Sequence, residues 1–391
     1  MFDVIVVGGG PTGLNAAKRM GEGGLDVCVL ERKERIGDHI ICTGIVSEEA
    51  FNEFELSRDS ILASINKFRW ISPSDNQIEY EHPRVFAHIV DRGKFDAHLY
   101  RRAEMQGVDV KVGRDVAKVS IGKNSVVLTA KNRNNSLERY SGRFVIIATG
   151  ISVQLQRDLG LGFPKRFLNG VQAELDFGDI DCAQVYVGRD IAHGAFGWIV
   201  PIGQGMVRLG LMTEKDPKGC FDHFVEKLPQ GKLSGLNRDR IQYKSIAQGL
   251  VSKTFRDRVL TLGEAAGQVK TTTGGGIYFG LLCSEIAARI VVKNIRKERY
   301  ASEALSEYET LWKKAIGKEI LFGYLARKAC SQFSDAEIEQ MFYKAQTNGV
   351  IPLIKEKGNF DWHGRLLLPL MKKIPYWQLI KAKLRNINRN N

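Results

Sequence analysis

Four residues near the N-terminus have the types and spacing that bind a dinucleotide. Gly8, Gly10 and Gly13 form a G-x-G-x-x-G turn, and Glu31 ends the apolar run that follows it. In such a turn the first glycine permits a tight bend, the second lets the backbone approach a pyrophosphate, and the third lets a helix pack closely. The Glu31 carboxylate would accept hydrogen bonds from ribose hydroxyls. The pattern predicts a dinucleotide site, with a purely structural glycine turn as the alternative.

Two predicted strands and a helix must position these residues. Residues 2–7 and 27–30 are short apolar runs rich in β-branched side chains, which is typical of buried parallel strands. Residues 14–20 predict a helix, whose N-terminus would present free N–H groups to phosphates. Three more residues of this unit are predicted to contact the cofactor: Pro11, Thr12 and Arg32.

A second glycine-rich stretch lies far down the chain. Residues 259–262 predict a strand, and a helix is predicted from Ile277 to about residue 293. Glu264 would accept a hydrogen bond from a ribitol or lie near the pyrophosphate through its backbone. The helix N-terminus would aim its partial positive charge at the pyrimidine edge of a flavin. Together the two stretches predict FAD, with these further binding residues in the second: Gly263, Gly274, Gly275, Gly276 and Ile277.

Length and charge limit the class of protein. At 391 residues the chain is long enough for two or three domains. No apolar run approaches the length of a membrane span and no leader precedes the first strand, so we predict a cytoplasmic protein. The formal net charge of +13 suggests an anionic partner; nucleic acid is a poor candidate because no nucleic-acid-binding motif is present. The six cysteines lack metal-ligand spacing, and no metal site is predicted.

The C-terminal segment is basic. From His363 onward the chain carries Lys and Arg but no acid, and these cations alternate with Leu, Trp and Tyr. Such a segment would bind the interface of an anionic membrane. The alternative is an amphipathic helix that packs on its own domain with a solvated basic face. Peripheral attachment to the inner face of a membrane is therefore left open.

The order of predicted elements indicates two interleaved domains. Residues 67–84 alternate around a hairpin turn at residues 72–76, and residues 171–212 contain further antiparallel strands. Between them, residues 116–130 and 137–148 predict a β-meander, whose last strand returns to the nucleotide sheet. Ser47 is predicted to cap a helix over residues 48–56, and residues 91–96 precede a helix that ends near residue 106.

We predict an α/β fold, α+β overall. A Rossmann-like FAD-binding domain is interleaved with an antiparallel-sheet substrate domain, and a C-terminal helical region follows. The expected boundaries are 1–66, 85–150 and 255–295 for the FAD-binding domain, 67–84 and 151–254 for the substrate-binding domain, and 296–391 for the helical region.

Three shorter motifs complete a family pattern. They are Cys42-Thr43-Gly44, Asp91-Arg92-x-x-Phe95-Asp96 and Phe196-Gly197-Trp198-Ile199-Val200-Pro201. With the two glycine-rich stretches, they occur in the order found in the geranylgeranyl reductase family of FAD-dependent enzymes, which belongs to the aromatic-hydroxylase-like flavoproteins. The sequence resembles that family over roughly residues 1–295.

The resemblance implies roles for individual residues. It places Cys42-Thr43-Gly44 beside the flavin and Arg92 near the ribityl chain, and Trp198 and Phe196 in the wall of a prenyl pocket. A core aromatic pair is the alternative for these two. Val116, Thr149 and Gly150 complete the predicted cofactor contacts. There are departures from the pattern: Glu264 and Thr149 replace aspartates, Phe196 replaces a tyrosine, Val200 a phenylalanine, His193 a proline, and Thr271 stands where proline is common.

The implied reaction is reduction of isolated C=C bonds in isoprenoid lipid chains, with hydride from reduced flavin and a proton from a nearby donor. Cys42 is favoured as that donor; His39 and His193 are further candidates, but both fit a surface or turn position better. Cys42, Trp198 and Phe196 are thus the predicted catalytic residues. NAD(P)H, a ferredoxin or a deazaflavin would supply electrons. Alternatives are a monooxygenase or halogenase of the same fold, and a flavin electron-transfer protein.

Overall fold

The computed structural model describes residues 1–229, 231, 233, 235–347, 350–364 and 366. Its strands are β1 Phe2–Val7, β2 Val27–Leu30, β3 Ile45–Ser47, β4 Ile61–Ile65, β5 Lys67–Ile71, β6 Gln77–Glu81, β7 Ala87–Val90, β8 Asp109–Lys111, β9 Asp115–Ile121, β10 Val126–Lys131, β11 Leu137–Ile147, β12 Arg166–Asp176, β13 Ala183–Tyr186, β14 Gly197–Gly203, β15 Met206–Thr213, β16 Gln242–Gln248, β17 Phe255–Arg256 and β18 Val259–Thr261. Its helices are α1 Pro11–Glu22, α2 Glu48–Glu53, α3 Arg92–Glu104, α4 Gln154–Asp158, α5 Pro217–Lys227, α6 Ile277–Arg296, α7 Ser302–Trp312, α8 Lys318–Cys330, α9 Asp335–Thr347 and α10 Val350–Lys357.

The first sheet is mainly parallel and has β1 near its centre. Its strand order is β17-β18-β11-β1-β2-β8, with β9 and β10 attached through β11. Val4 and Val6 of β1 pack under the helices, whereas Ile5 and Val7 pack on the opposite face with residues of β9 and β10. Both faces of β1 are therefore buried, which suits its β-branched composition.

One strand of this sheet changes partner along its length. The sequence predicts a β-meander over residues 116–130 and 137–148, and its last strand is β11, which has 11 residues. Its first half pairs antiparallel with β10, and its second half pairs parallel with β1. Gly142 lies at the change of partner, where a Cβ would come within 3.1 Å of Ile5. A glycine therefore lets the strand fit between both neighbours.

The second sheet takes strands from two separate parts of the chain. Its order is β16-β12-β15-β14-β13-β5-β6. The β5–β6 hairpin comes from residues 67–81, and β5 lies parallel to β13, so that Trp70 pairs with Val185. The predicted fold class, a Rossmann-like unit interleaved with an antiparallel sheet and followed by helices, is confirmed. The domain boundaries given above remain a proposal.

Two helix limits differ from the sequence prediction. Ser47 caps α2 as predicted, since its hydroxyl accepts from Ala50 N at 2.9 Å, but α2 ends at Glu53. Helix α3 begins at Arg92 and not after Asp96, because the Asp91 carboxylate accepts from Lys94 N at 3.1 Å and so caps the helix earlier. The early start places Arg92 and Asp96 one turn apart on the same face.

Helix α7 packs on the first sheet, whereas α9 contacts β6 of the second sheet. Tyr308 and Trp312 of α7 are fully buried against the first sheet, and the Trp312 indole N–H donates to Thr254 Oγ1 at 3.0 Å. A π-helical turn, Lys313–Gly317, joins α7 to α8. Within the part of the chain that the structure describes, no helix has both the length and the apolar composition of a membrane crossing. Most of the basic segment, residues 365 and 367–391, lies outside the described residues.

Candidate active site

A large cavity lies between the two sheets. It has a volume of about 1910 Å³, which is well above the usual 300–1,000 Å³ of a small-molecule pocket. Every residue that the sequence predicts for cofactor binding or catalysis contributes to its wall: Gly8, Gly10, Pro11, Thr12, Gly13, Glu31, Arg32, Cys42, Thr43, Gly44, Arg92, Val116, Thr149, Gly150, Phe196, Trp198, Gly263, Glu264, Gly274, Gly275, Gly276 and Ile277. His39 also lines the cavity, whereas His193 does not.

The first glycine-rich turn is built around close backbone contacts. Gly8 has φ of +112°, which side chains disfavour, and a Cβ on Gly13 would collide with the Gly8 carbonyl oxygen. The Glu31 carboxylate accepts from Gly9 N at 2.6 Å and from Lys33 N at 2.9 Å. Each oxygen keeps a further lone pair, and Glu31 lines the cavity, so the carboxylate can still accept from a ribose hydroxyl.

The N-terminus of α1 suits an anion. No side chain caps the helix at Gly10, and a Cβ on Gly10 would meet no protein atom within 4 Å. The backbone N–H groups of the first turn are therefore open to the cavity, which is the arrangement that binds a pyrophosphate.

The second glycine-rich turn packs directly on the first. Gly263 has φ of +65°, and a Cβ there would lie 2.9 Å from Thr12 Oγ1. A Cβ on Gly280 of α6 would collide with the same hydroxyl. Glycine at both positions lets Thr12 of α1 fit between the second turn and α6. The two turns therefore form one continuous binding surface for a long dinucleotide.

The N-terminus of α6 is open like that of α1. Gly276 caps the helix without a side-chain hydrogen bond, so the positive end of a 20-residue helix faces the cavity. Glu264 is close by and forms an ion pair with Lys244, at 3.2 Å between Oε2 and Nζ. The Thr149 hydroxyl donates to the Ser152 carbonyl and is used within its own turn. These donors and charges fit the phosphates and the ring system of FAD.

Arg92, Asp96 and Cys42 form a charged group beside the cavity. Arg92 binds the Asp96 carboxylate through two hydrogen bonds, of 3.1 and 3.0 Å. Cys42 Sγ accepts from Gly44 N at 3.3 Å. Burial alone would raise the pKa of the Cys42 thiol, but the nearby charges of Arg92 and Lys244 outweigh it and hold that pKa below its usual value. The thiol therefore releases its proton more readily than an ordinary cysteine.

Two residues of the second sheet hold the Cys42 loop, and sequence reasoning missed both. Arg208 of β15 donates to the Thr43 carbonyl at 2.9 Å and to the Val90 carbonyl at 3.0 Å. Gln172 of β12 accepts from Thr43 Oγ1 at 3.1 Å. Arg208 is almost fully buried, so these contacts form a rigid link between the loop and the sheet. The signal in the sequence for Arg208 was an arginine within an otherwise apolar predicted strand.

The other end of the cavity is apolar and aromatic. Trp198 and Phe196 contact each other edge to face, with ring centroids 6.0 Å apart. The sequence places both on one strand, but β14 begins at Gly197, so Phe196 precedes it. A Cβ on Gly210 would lie 2.5 Å from Trp198 Cζ2, so glycine there makes room for the indole. The other aromatic side chains of this wall are Phe68, Trp70, Tyr80, Phe86 and Phe360.

A C-terminal segment, residues 358–364, closes one side of the cavity. Asp361 forms a 2.8 Å ion pair with Lys270, and His363 Nδ1 lies 2.6 Å from Thr272 Oγ1. Both partners belong to the stretch before the α6 N-terminus. Burial, with Lys270 acting in the same direction, lowers the pKa of His363 to about 4. Sequence reasoning gave this segment no part in the site.

The fold and cavity define a class of protein: an oxidoreductase whose dinucleotide lies across two glycine-rich turns and whose ring system faces a second sheet. Solved structures share this architecture. A geranylgeranyl bacteriochlorophyll reductase-like protein from Thermoplasma acidophilum superposes with a TM-score of 0.86 at 23% identity and covers 98% of each chain. The myxobacterial chondrochloren halogenase CndH gives a TM-score of 0.71 at 18% identity, over 93% of this chain and 92% of that one.

Sequence relatives identify the family. The family model for pyridine nucleotide-disulphide oxidoreductases matches residues 2–177. Digeranylgeranylglycerophospholipid reductase 2 of Methanothermobacter thermautotrophicus is 31% identical over 363 residues, which is 87% of this chain and 90% of the relative. Digeranylgeranylglycerophospholipid reductase 1 of Methanosphaera stadtmanae is 28% identical over 366 residues, 88% of each. The chain belongs to the geranylgeranyl reductase family and is an FAD-dependent oxidoreductase, as its motifs predict.

Valine at Gly10 and at Gly13 should separate cofactor binding from folding. At Gly10 the side chain has room in the protein but would fill the space over the open helix N-terminus, so we expect a folded protein with about tenfold less bound flavin. At Gly13 it would collide with the Gly8 backbone, so we expect a lower melting temperature even without flavin. Flavin absorbance per protein measures cofactor binding. Thermal unfolding of the flavin-free variants measures the melting temperature. Normal flavin content in Gly10→Val would contradict our placement of the pyrophosphate.

Acid should release the segment of residues 358–364. His363 is neutral when packed, with a pKa of about 4, and takes up a proton more easily once released, with a pKa of about 6.5. Packing of the segment is therefore strongest above pH 6.5 and weakens as the pH falls towards 4, by up to about tenfold per pH unit. Hydrogen–deuterium exchange of residues 358–364, corrected for intrinsic rates, measures this. His363→Gln should abolish the dependence; an equally steep one in that variant would assign it to another group.

Proposed function

We propose that this protein reduces carbon–carbon double bonds in the isoprenoid chains of lipids. The observation that carries the proposal is the aromatic end of the cavity, lined by Phe196, Trp198 and the other aromatic side chains named above. This aromatic arm continues directly from the second glycine-rich turn. An isolated alkene has no polar group next to the reacting carbons. A site for it must therefore hold a long apolar chain in register by packing alone, and this arm provides such a wall.

FAD, when reduced, supplies a hydride to one alkene carbon. The residues of this chain would do the rest. Trp198 and Phe196 would orient the chain, and the second sheet would exclude water from the reacting carbons. The proton for the other carbon would come from Cys42 Sγ, since this thiol lines the cavity and its pKa is lowered by Arg92 and Lys244. His39 is the alternative donor on the cavity wall. One hydride and one proton saturate one double bond.

We propose that the substrate is a glycerophospholipid with geranylgeranyl chains. The support is the family, whose curated relatives bear the name digeranylgeranylglycerophospholipid reductase and align over most of both chains. The cavity volume adds to it, because about 1910 Å³ exceeds what a dinucleotide pocket alone requires. A flavin electron-transfer protein would have no use for an aromatic arm of this size.

A monooxygenase or halogenase is the second candidate. Halogenases share the architecture, but at 18% identity or below the likeness concerns the fold alone. Relatives at 27% to 31% identity are named digeranylgeranylglycerophospholipid reductases. The reductase reading therefore has the stronger support.

Lipid mass spectrometry tests the proposed reaction and its pocket together. Purified protein with geranylgeranyl phospholipid and a donor should give products heavier by about 2 mass units for each saturated bond. NAD(P)H, a reduced ferredoxin and a reduced deazaflavin are supplied in separate reactions, and the active one identifies the donor. Trp198→Ala should reduce turnover by about tenfold or more while flavin content stays normal, because the chain loses its aromatic wall.

Trp198→Phe is the matched control and should retain most turnover. Absence of saturation with all three donors would refute the proposed reaction, and insertion of oxygen or halogen into the lipid would favour the second candidate. A Trp198→Ala protein with a much lower melting temperature and proportionate loss of activity would assign the indole to the core.

We further propose that the basic C-terminal segment binds an anionic membrane surface. Residues 367–391 contain six Lys and Arg residues, no Asp or Glu, and aromatic and aliphatic residues between them. Truncation after Leu366 should therefore weaken binding to vesicles that contain anionic phospholipid, by about tenfold, and leave flavin content unchanged. Cosedimentation measures binding, with zwitterionic vesicles as the control. Equal binding by both proteins would leave the segment without a membrane role.

A further inference from the structure

Lys270 and Asp361 form a buried ion pair that the proposed mechanism does not use. The side chains are 7% and 2% exposed, and Lys270 Nζ lies 2.8 Å from Asp361 Oδ1. The ammonium also donates to the Phe360 carbonyl at 3.1 Å and lies 4.4 Å from the Phe360 ring centroid. Both charged residues line the cavity. Asp361 Oδ2 finds no hydrogen-bond partner among the described residues.

Burial of such an ion pair costs free energy. Two charges lose their hydration on burial, and replacement by apolar side chains is often neutral or stabilising. An unsatisfied carboxylate oxygen adds to the cost. Stability alone therefore does not account for the pair. Its position next to the cavity suggests that its charges act on what the cavity holds.

Lys270 lies directly on the turn that precedes α6. Its backbone N–H donates to the Gly275 carbonyl at 2.8 Å, and its carbonyl accepts from Gly274 N at 2.7 Å. A Cβ on Gly275 would lie 2.8 Å from Lys270 Cε and 3.4 Å from Nζ. The ammonium is thus held beside the α6 N-terminus, where the positive helix end already faces the cavity.

We propose that Lys270 and Asp361 set the reduction potential of the bound flavin. Lys270 would stabilise the negative charge that the ring gains on reduction, and Asp361 would moderate this effect from the C-terminal segment. The proposal rests on the placement of the flavin ring at Gly274–Gly276 that the proposed function uses. Lys270 is a positioning residue in this sense, because it acts through the cofactor and does not touch the reacting carbons.

The other charges near the cavity are arranged differently. Lys244 is 35% exposed and paired with Glu264, so solvent and its partner screen it. Arg92 is held by both oxygens of Asp96 and lies beside Cys42. Lys270 is the more deeply buried of the two lysines, and a charge in a low-dielectric environment acts most strongly on its neighbours.

Potentiometric titration of the FAD-loaded protein against a reference dye tests the proposal. All measurements are made in one buffer at one pH and without lipid. At a fixed potential, Lys270→Met should raise the ratio of oxidised to reduced flavin by about tenfold, because reduced flavin loses its cationic neighbour. Asp361→Asn should lower that ratio by about threefold, because the moderating negative charge is gone.

Three controls separate charge from packing. Lys293→Met removes a lysine that also pairs with a carboxylate, Glu307 at 2.7 Å, but near the opposite end of α6, and should leave the ratio unchanged. Phe360→Leu alters the packing around Lys270 without a change in charge and should also leave it unchanged. Lys270→Arg keeps the charge and should restore the wild-type ratio.

Wild-type ratios in both Lys270→Met and Asp361→Asn would overturn the proposal, as would shifts of the same sign in the two variants. If Lys270→Met loses its flavin, the comparison of Asp361→Asn with Phe360→Leu decides. A changed ratio of oxidised to reduced flavin in Asp361→Asn but not in Phe360→Leu supports the charge effect. Equal ratios in the two variants refute it. The titration contains no lipid, so it is independent of the lipid experiment. Opposite shifts of the flavin ratio in the two variants, together with no saturation in the lipid mass spectrometry, would refute the proposed reaction and leave this inference standing.

Discussion

The close approach of α1 to two other backbone segments is the contact on which the site depends. Gly13 lies against the Gly8 carbonyl, and Thr12 lies between Gly263 and Gly280. A Cβ at any of these glycines would push the segments apart. Since the two glycine-rich turns meet there, the same contact joins the phosphate end of the cavity to the flavin end. The open N-termini of α1 and α6 can then act on one ligand.

The second sheet completes the site by holding charged groups against it. Arg208 and Gln172 fix the Cys42 loop, and Arg92 is fixed by Asp96 one helical turn away. These buried contacts would be costly to break, because each leaves a polar group without a partner. These polar groups, which must keep their positions, therefore lie next to the aromatic arm. The cavity thus combines a rigid polar part with an aromatic part of different chemistry.

Sequence predicted the parts of the fold that depend on local pattern. The G-x-G-x-x-G turn and the open start of α6 follow from residue types a few positions apart, and the predicted wall residues all line the cavity. The sequence predicted that the strand over residues 137–148 returns to the nucleotide sheet, but not the residue at which it changes partner, because alternation along one strand does not show which strand pairs with it. The start of α3 at Arg92 was predictable from the sequence, since Asp91 has the ordinary N-cap chemistry. The Lys270–Asp361 pair joins residues far apart in the chain, and neither has a local signal.

The interleaved strand order also governs how the chain can be made. β11 gains its parallel neighbour β18 only near residue 259, and one face of α1 is covered only when α6 packs on it, through Asn15 with Ser284 and Arg19 with Glu285. During synthesis, β11 and α1 therefore emerge well before these last neighbours. The free edge of β11 and the face of α1 that packs on α6 stay uncovered in the growing chain until residues 259–296 appear. The first sheet is thus completed only by strands more than 250 residues after its first one.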